Sequence, residues 1–542
     1  MKVKLLLMAL LISLPQILWG GVNLKNGNFY VTYTDIIVPG GGTDLFVART
    51  YNSQATEKGW FGLSWGSDFE TFLLVGADGS VTIHENGSGA HTRFTPKEAV
   101  DPVAASKRII EAMRQKTTVS EQVAGELSKK LTSDAELRQA YARKFKVETK
   151  LASGTVLYSN TRGLQEVHKV KEGYKRSYND GKVEIFNEEG LLVKIQDKNG
   201  YVVNFDYDKG KLKSLKDSQA KQLFFDWFTD GKVKSIWSVG DKKTSYKYDG
   251  DDLVESTDVN GNTYKYKYDA THNMVAVEYQ DGTKMEIGYT KKTRFVSEIK
   301  ARDGAVTKYA YDSNPKNPDL HYWTIVSKQE ADGKWMDNRY EYEIKTKPDG
   351  SQYTYRILTE INGLKTETIY SECCSLPLKI TRGKHVTNFE YNEKGLLVKK
   401  TSTKGDHIEL QYHATYNKIT RVVNKNNWTN FEYDKKGNLS KASNSEGKSV
   451  LLIYDRDGRI TKMIDYEKKS NVKRTLSFKY NALGKPVEIA MDKMGKINVA
   501  YDNYGEIKKL ESKDGHKMAL QVTQAFQSLL SIVKPAGVNL NM

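Results

Sequence analysis

The chain has 542 residues and carries 83 Lys+Arg against 67 Asp+Glu, a formal charge of 83 − 67 = +16, with 38% hydrophobic residues. That length exceeds what one core usually fills, so several domains or a repeat array are expected. An aromatic fraction of 11% excludes a long disordered chain, ten prolines exclude a collagen-like design, and two cysteines exclude a disulfide scaffold or a four-thiolate zinc site.

Lys2 and Lys4 precede an apolar run from Leu5 to Leu18, interrupted by Ser13, Pro15 and Gln16, and Gly20-Gly21 opens a polar sequence. The pattern predicts a secretory signal peptide over residues 1–20, because the run is shorter than the roughly 20 residues of a spanning helix. The mature chain then begins near Gly21, keeps no membrane span, carries 16 − 2 = +14, and is periplasmic, surface-bound or secreted. Residues 21–96 read as a β region. Residues 97–148 interrupt the β grammar: Val119, Val123, Leu127 and Leu131 recur every four positions, and Ser133-Asp134-Ala135-Glu136 reads as a capping box ahead of Leu137, Ala140 and Tyr141. Two or three inserted helices are expected there. Residues 149–515 read as a β array. Residues 516–542 hold a helix from about Lys517 to Lys534, with Val522, Phe526, Leu529, Leu530 and Val533 on one stripe and Pro535 as its stop, then a short closing strand of Val538, Leu540 and Met542. Capping the open end of the array explains that helix.

Repeats set the architecture of the array. From Tyr207 through Trp227, Tyr248, Tyr268, Tyr289 and Tyr311 the steps are 20, 21, 20, 21 and 22 residues, and Tyr391, Tyr412, Tyr433 and Tyr454 step by 21. In Asn388-Phe389-Glu390-Tyr391-Asn392-Glu393-Lys394-Gly395-Leu396, aromatic and polar residues alternate, a Gly turn follows and an apolar strand resumes. Period two puts Phe389 and Tyr391 on one face, as in a half-buried antiparallel strand, and the Asp/Asn-x-x-Gly segment supplies the left-handed residue of a tight turn. One unit is therefore one β-hairpin.

The recurring pairs Tyr207-Asp208, Tyr248-Asp249, Tyr268-Asp269, Tyr311-Asp312, Tyr433-Asp434, Tyr454-Asp455 and Tyr501-Asp502, with a Gly turn and a Leu or Ile after them, resemble the Rhs/YD-repeat family over about residues 165 to 515. The segments Val38-Pro39-Gly40-Gly41-Gly42, Arg49-Thr50-Tyr51-Asn52-Ser53 and Gly59-Trp60-Phe61-Gly62-Leu63-Ser64-Trp65-Gly66 resemble the region that precedes YD repeats in that family. The resemblance implies an all-β repeat fold: a spiralling antiparallel sheet of hairpins, open or partly closed as a shell. The largest members enclose a toxic C-terminal region, reached through a self-cleavage segment that has no counterpart here.

Catalytic motifs fail one by one. Gly447-Lys448-Ser449 lacks the Gly a phosphate loop needs at Ala442, Asp455-Arg456-Asp457-Gly458 has its Gly too early for a calcium loop, and His84-Glu85 is followed by Ser88 where a second His would stand. The histidines are scattered and no assembled Ser/His/Asp set is read, so an enzyme is not expected, and neither a metal nor a cofactor is expected. Cys373-Cys374 is the one oddity, open to a vicinal disulfide, an oxidised free pair or two buried thiols on opposite strand faces; a structural role is expected over a redox one. Lys is spread through the repeats at polar strand positions, as in Tyr264-Lys265-Tyr266-Lys267-Tyr268, so a nucleic-acid partner is not expected. These readings point to an exported, non-enzymatic binding module that recognises an anionic or sugar-rich envelope polymer, with carbohydrate stacking on Tyr and Trp faces, or a protein partner encoded nearby. The alternative is a shell component of an Rhs-type toxin or delivery system without its own toxin domain.

Overall fold

The computed structural model describes residues 19–533 except 39–43, 88, 98–99, 160–164, 179, 199, 241–242, 330–332, 374, 482–483, 493, 502–506 and 513–514. The fold is an all-β repeat. Two long antiparallel sheets dominate: one of 12 strands from Phe72–Val75 to Val233–Trp237, and one of 24 from Ser245–Asp249 to Ile507–Glu511. In both, each strand pairs with the next in sequence, as alternating strands joined by tight turns dictate. An isolated bridge between Trp237 and Lys243 links the two sheets into one ribbon. The ribbon coils on itself: Phe72 bridges Leu191, and the Leu73 amide donates to the Gly190 carbonyl at 2.8 Å. Gly190 has φ +81°, and a Cβ there would sit 2.0 Å from the Leu73 carbonyl oxygen, so the contact requires glycine.

A four-stranded sheet of Trp19–Asn23, Asn28–Val38, Leu45–Asn52 and Trp65–Ser67 packs on the concave side of the early repeats. Residues 1–18, most of the expected signal peptide, lie outside the described residues, but Trp19 and Gly20 pair with Thr32 and Val31. A cut after Gly20 would remove those two pairs. Strands Phe72–Val75, Val81–Glu85 and Ala90–Thr95 head the 12-stranded sheet, which therefore runs through the helical insertion.

The insertion holds three helices: α1 (Pro102–Arg114), α2 (Glu121–Ser133) and α3 (Ala135–Phe145), packed around Ile109, Ile110, Leu131 and Ala142. The N-cap of α3 is Asp134, whose carboxylate accepts from the amides of Glu136 and Leu137, whereas Ser133 ends α2. The N-cap expected at Ser133 is thus shifted to Asp134, without a reciprocal capping box because Leu137 stands at the third position. A last helix, α4 (Gly515–Val533), lies on the concave face of the final repeats. It buries Met518, Val522, Ala525 and Ile532, with Phe526 and Leu529 beside them, while Leu530, expected on the packed stripe, is 51% exposed. The closing strand expected at Val538–Met542 lies outside the described residues.

Candidate functional site

The Tyr-Asp signature has a geometric cause. In the regular repeats the strand shifts register immediately before the tyrosine, between Asp206 and Tyr207, Lys247 and Tyr248, Lys267 and Tyr268, Glu432 and Tyr433, Ile453 and Tyr454, and Ala500 and Tyr501. From that bulge the ring packs on the concave core and its hydroxyl donates to a carbonyl of the preceding hairpin: Tyr207 to Leu192 at 2.9 Å, Tyr248 to Val233, Tyr268 to Leu253 and Tyr454 to Leu439 at 2.8 Å, Tyr433 to Ile419 at 2.7 Å, Tyr501 to Pro486 at 2.9 Å. Trp227 makes the same bond through its indole N–H to Leu212 at 2.7 Å. Burial pushes the Tyr433 and Tyr454 hydroxyls up to about 12, so each remains a donor throughout the physiological range.

The aspartate caps the turn that follows. Asp434 accepts from the amides of Lys436 and Asn438 at 2.8 Å, Asp455 from those of Asp457 and Arg459 at 2.9 Å, and Asp269 from those of Thr271 and Asn273 at 2.8 and 3.0 Å. Burial raises the Asp434 carboxyl, but the bonds from Asn438 and Lys436 outweigh it and hold the group below its usual value. Asp208 and Asp249 instead close two-residue turns, paired with Lys211 and Asp252. Tyr311-Asp312 departs from the expected role. Its strand runs without a bulge through Ser313, the Tyr311 hydroxyl is buried without a partner, and Asn314 caps the turn. Asp502 lies outside the described residues.

The motifs around Arg49 and Trp65 dock the small sheet inside the ribbon, while residues 39–42 of the first motif lie outside the described residues. Arg49 is fully buried, ion-paired to Asp35 at 2.7 Å, and donates to Ser256 and to the Tyr266 hydroxyl; Tyr246 donates to Asp35 at 2.8 Å. Its guanidinium lies 4.7 Å from the Trp65 ring centroid and 5.0 Å from that of Tyr33. Trp65 donates to Tyr268 at 2.9 Å, and the Leu63 amide to Asp251 at 2.8 Å. The insertion makes a second tie, to the turn at Asp349-Gly350. Arg93 bridges Asp78 at 2.6 Å and Asp349 at 3.1 Å, Arg138 donates to the Asp349 carbonyl at 2.8 Å, and the Ala135 amide to the Gly350 carbonyl at 3.1 Å.

Between these supports the lining has a gap. The N-terminal core cluster extends to about Tyr309, beyond which Thr324 donates to the Leu24 carbonyl and Lys25 reaches Thr354 at 2.9 Å, and the cluster that includes α4 begins at about Leu397. Strands Gln352–Ile361, Leu364–Tyr370 and Pro377–Arg382 hold no fully buried side chain among the described residues. Their register places Ile357, Thr368 and Ile380 in one row, continuous with the buried Tyr342. Thr359, Ile361, Asn362, Leu364, Thr366 and Arg382 border a cavity of about 510 Å³ at one edge.

A family model described as "RHS Repeat" matches residues 248–284, and one described as a domain of unknown function (DUF6531) matches residues 20–94. The chain is an Rhs/YD-repeat protein. This Rhs/YD-repeat chain is 25% identical over 321 residues to the tRNA3(Ser)-specific nuclease WapA of Bacillus spizizenii, which covers 56% of it and 13% of WapA. It is 24% identical over the same length to the tRNA nuclease WapA of Bacillus subtilis, so it spans about an eighth of those relatives. Among solved structures, a Tc holotoxin pore of Photorhabdus luminescens aligns at 11% identity and a TM-score of 0.39, over 89% of this chain and 29% of that one. The TcdB2-TccC3-TEV crystal structure aligns at 11% identity and 0.40, over 94% and 30%.

Two further features of the Rhs/YD-repeat chain bear on chemistry. Cys373 is exposed and disulfide-bonded; Cys374 lies outside the described residues. His321, Glu341 and Glu343, which no sequence motif marks, bring three ligand atoms within 4.8 Å of one another on adjacent strands. Arg356 donates to both carboxylates and Arg339 to Glu341 at 2.9 Å, so guanidinium groups already occupy the cation positions of this cross-strand network.

Proposed function

We propose that this chain is an exported Rhs-type shell module that holds a protein partner against the unlined strip of its concave face, acting by binding rather than by turnover. The observation that carries the reading is that no described residue from Gln352 to Arg382 is fully buried, in a ribbon with core clusters on both sides of that stretch. Ile357, Ile380 and Tyr370 are half-buried there, and Leu364 is 40% exposed, so a partner gains apolar burial where the chain supplies none of its own. The partner's identity with an enclosed toxin segment, as in an Rhs-type delivery system, and the carbohydrate reading are alternatives within the same test.

The test is affinity capture from native envelope extract with the intact protein and with an Ile357→Asp, Ile380→Asp variant whose melting temperature matches it. A protein retained at high salt by the wild type and lost by the variant supports the reading, since apolar contacts resist screening. Retention by both, capture of glycan in place of protein, or turnover of a substrate by the isolated chain would each overturn it.

A further inference from the structure

The outward strand faces of the later repeats follow a rule. In a strand that ends on a signature tyrosine, the residue just before the tyrosine and the one three before it point away from the concave core. They are Glu390 and Asn388, Gln411 and Glu409, Glu432 and Asn430, Lys479 and Ser477, and in the last repeat Ala500 and Asn498, all polar or small. Strand Lys448–Tyr454 breaks the rule. It carries Ile453 and Leu451 at those two positions, 44% and 38% exposed, while Val450 and Leu452 fill the concave core. The next strand, Ile460–Glu467, answers in kind: its register sets Ile464 opposite Leu451 and Tyr466 opposite Ser449. One hairpin therefore shows an outward apolar group of Leu451, Ile453, Ile464 and Tyr466, where its neighbours show carboxylates, amides and ammonium groups.

Cations stand directly beside that group. Lys441 lies opposite Leu451 on the preceding strand and pairs with Glu432 at 2.8 Å. Lys462 lies opposite Ile453 and Lys473 opposite Tyr466; both are exposed, and neither has an ion pair among the described residues. Where the strand meets the rim, Ile453 and Tyr454 border a cavity of about 520 Å³ together with Lys435, Lys436 and Arg456. The carboxylates at that cavity are already engaged: Asp434 and Asp455 accept the amides of their own turns, and Asp455 also pairs with Arg459 at 2.6 Å. Arg456 extends into solvent, 3.6 Å from Asp457.

We infer that the outer face of the hairpin Lys448–Glu467 is a docking surface for an anionic lipid bilayer. The centre of a protein contact is depleted in lysine, yet here a lysine adjoins three of the four apolar side chains. That mixture suits a membrane boundary, where apolar side chains enter the edge of the acyl region and long lysines keep their heads among the phosphates. The adjoining cavity, apolar on one side and cationic on the other, matches a phosphate headgroup on its glycerol stem. This surface faces away from the concave strip, shares no residue with it, and does not depend on what the strip holds.

Vesicles of phosphatidylcholine, with and without phosphatidylglycerol as a quarter of the lipid, are sedimented with the full chain. Leu451→Asn, Ile453→Gln installs residues that Asn430 and Gln411 already place at the same repeat positions. Lys462→Gln, Lys473→Gln removes the unpaired cations, and Lys247→Gln, Lys267→Gln removes equal charge from a distant outer face. Wild type should bind the anionic vesicles, the first two variants at least about tenfold more weakly and the distant control within about twofold of wild type. Bound vesicles should also slow hydrogen exchange of the wild-type amides from Ser449 to Tyr466, a readout that needs no variant to fold. No binding by wild type, full binding by Leu451→Asn, Ile453→Gln, or equal loss in the two lysine variants would overturn the assignment. So would release from vesicles by inorganic phosphate at constant ionic strength, which marks a free-anion site, or a dimer in solution that Leu451→Asn, Ile453→Gln dissolves, which gives the face to a second copy.

Discussion

Replacing Tyr433 probes the hairpin clasp on which the repeat account rests. Tyr433→Phe keeps the ring and removes the hydroxyl that donates to Ile419 at 2.7 Å, leaving that carbonyl short of a partner. The expected local cost is about 0.5–1.5 kcal/mol. Tyr433→Ala also removes the ring, which is half-buried against the concave core; full burial of an aromatic is worth about 3–5 kcal/mol, so about 2–4 kcal/mol is expected here. Lys435→Ala, in the exposed turn two residues on, should change stability by less than about 0.5 kcal/mol. A 542-residue chain built around a long repeat ribbon does not melt as one two-state unit, so the assay is native-state hydrogen exchange of the amides from Ile419 to Asn444. At about 1.4 kcal/mol per tenfold, Tyr433→Phe should speed exchange about twofold to tenfold, and Tyr433→Ala at least about thirtyfold. Equal rates in Tyr433→Ala and Lys435→Ala would refute the clasp, and an unchanged Tyr433→Phe would refute the hydroxyl's part in it.

Asp434, held below its usual value, stabilises its turn above the unfolded carboxylate range, and that contribution disappears as pH falls through the folded value; exchange protection of Lys436 and Asn438 should therefore drop under acid conditions and become pH-independent in Asp434→Asn. Glu70 behaves in the opposite sense: burial raises its carboxyl to about 8 although it accepts from the amides of Trp60 at 2.6 Å and Ser67 at 2.8 Å. Because the folded state binds the proton more tightly, protection of those two amides should decline as pH rises from about 4.5 to 8, and Glu70→Gln should flatten the profile. Asp349→Ala should open the tie between insertion and ribbon, seen as faster exchange at Ala135 and Gly350 and a larger radius of gyration by solution scattering; no change in either would show the tie to be incidental. A Cys373→Ser, Cys374→Ser chain should capture the same partner as wild type when assayed below its melting temperature, and loss of capture by the folded variant would make the pair functional.

The hairpin repeat was legible because two local periods agree: alternation of two along Phe389-Glu390-Tyr391 and about 21 residues between tyrosines. Tyr311-Asp312 carries the same two residues without the same role, because the bulge depends on how the strand pairs with His321–Gln329, a partner no local pattern encodes. The cap of α3 moved from Ser133 to Asp134 because both residues are good caps and the end of α2 decides between them. Arg49 was visible only as part of a motif; its bonds to Ser256 and Tyr266 join residues 207 and 217 positions apart. The sparsely packed strip was not legible, since its strands alternate like their neighbours and only tertiary packing shows that none of their described side chains is fully buried.

Photo-crosslinking in the native host tests the concave-face reading most directly. A photoreactive phenylalanine analogue placed at Ile357, in the unlined row, is compared with the same analogue at Lys267, on the outer strand face. A discrete protein adduct at position 357, absent at 267, is the predicted result. Adducts at both positions, or at neither in cells where the protein is folded and abundant, would contradict it.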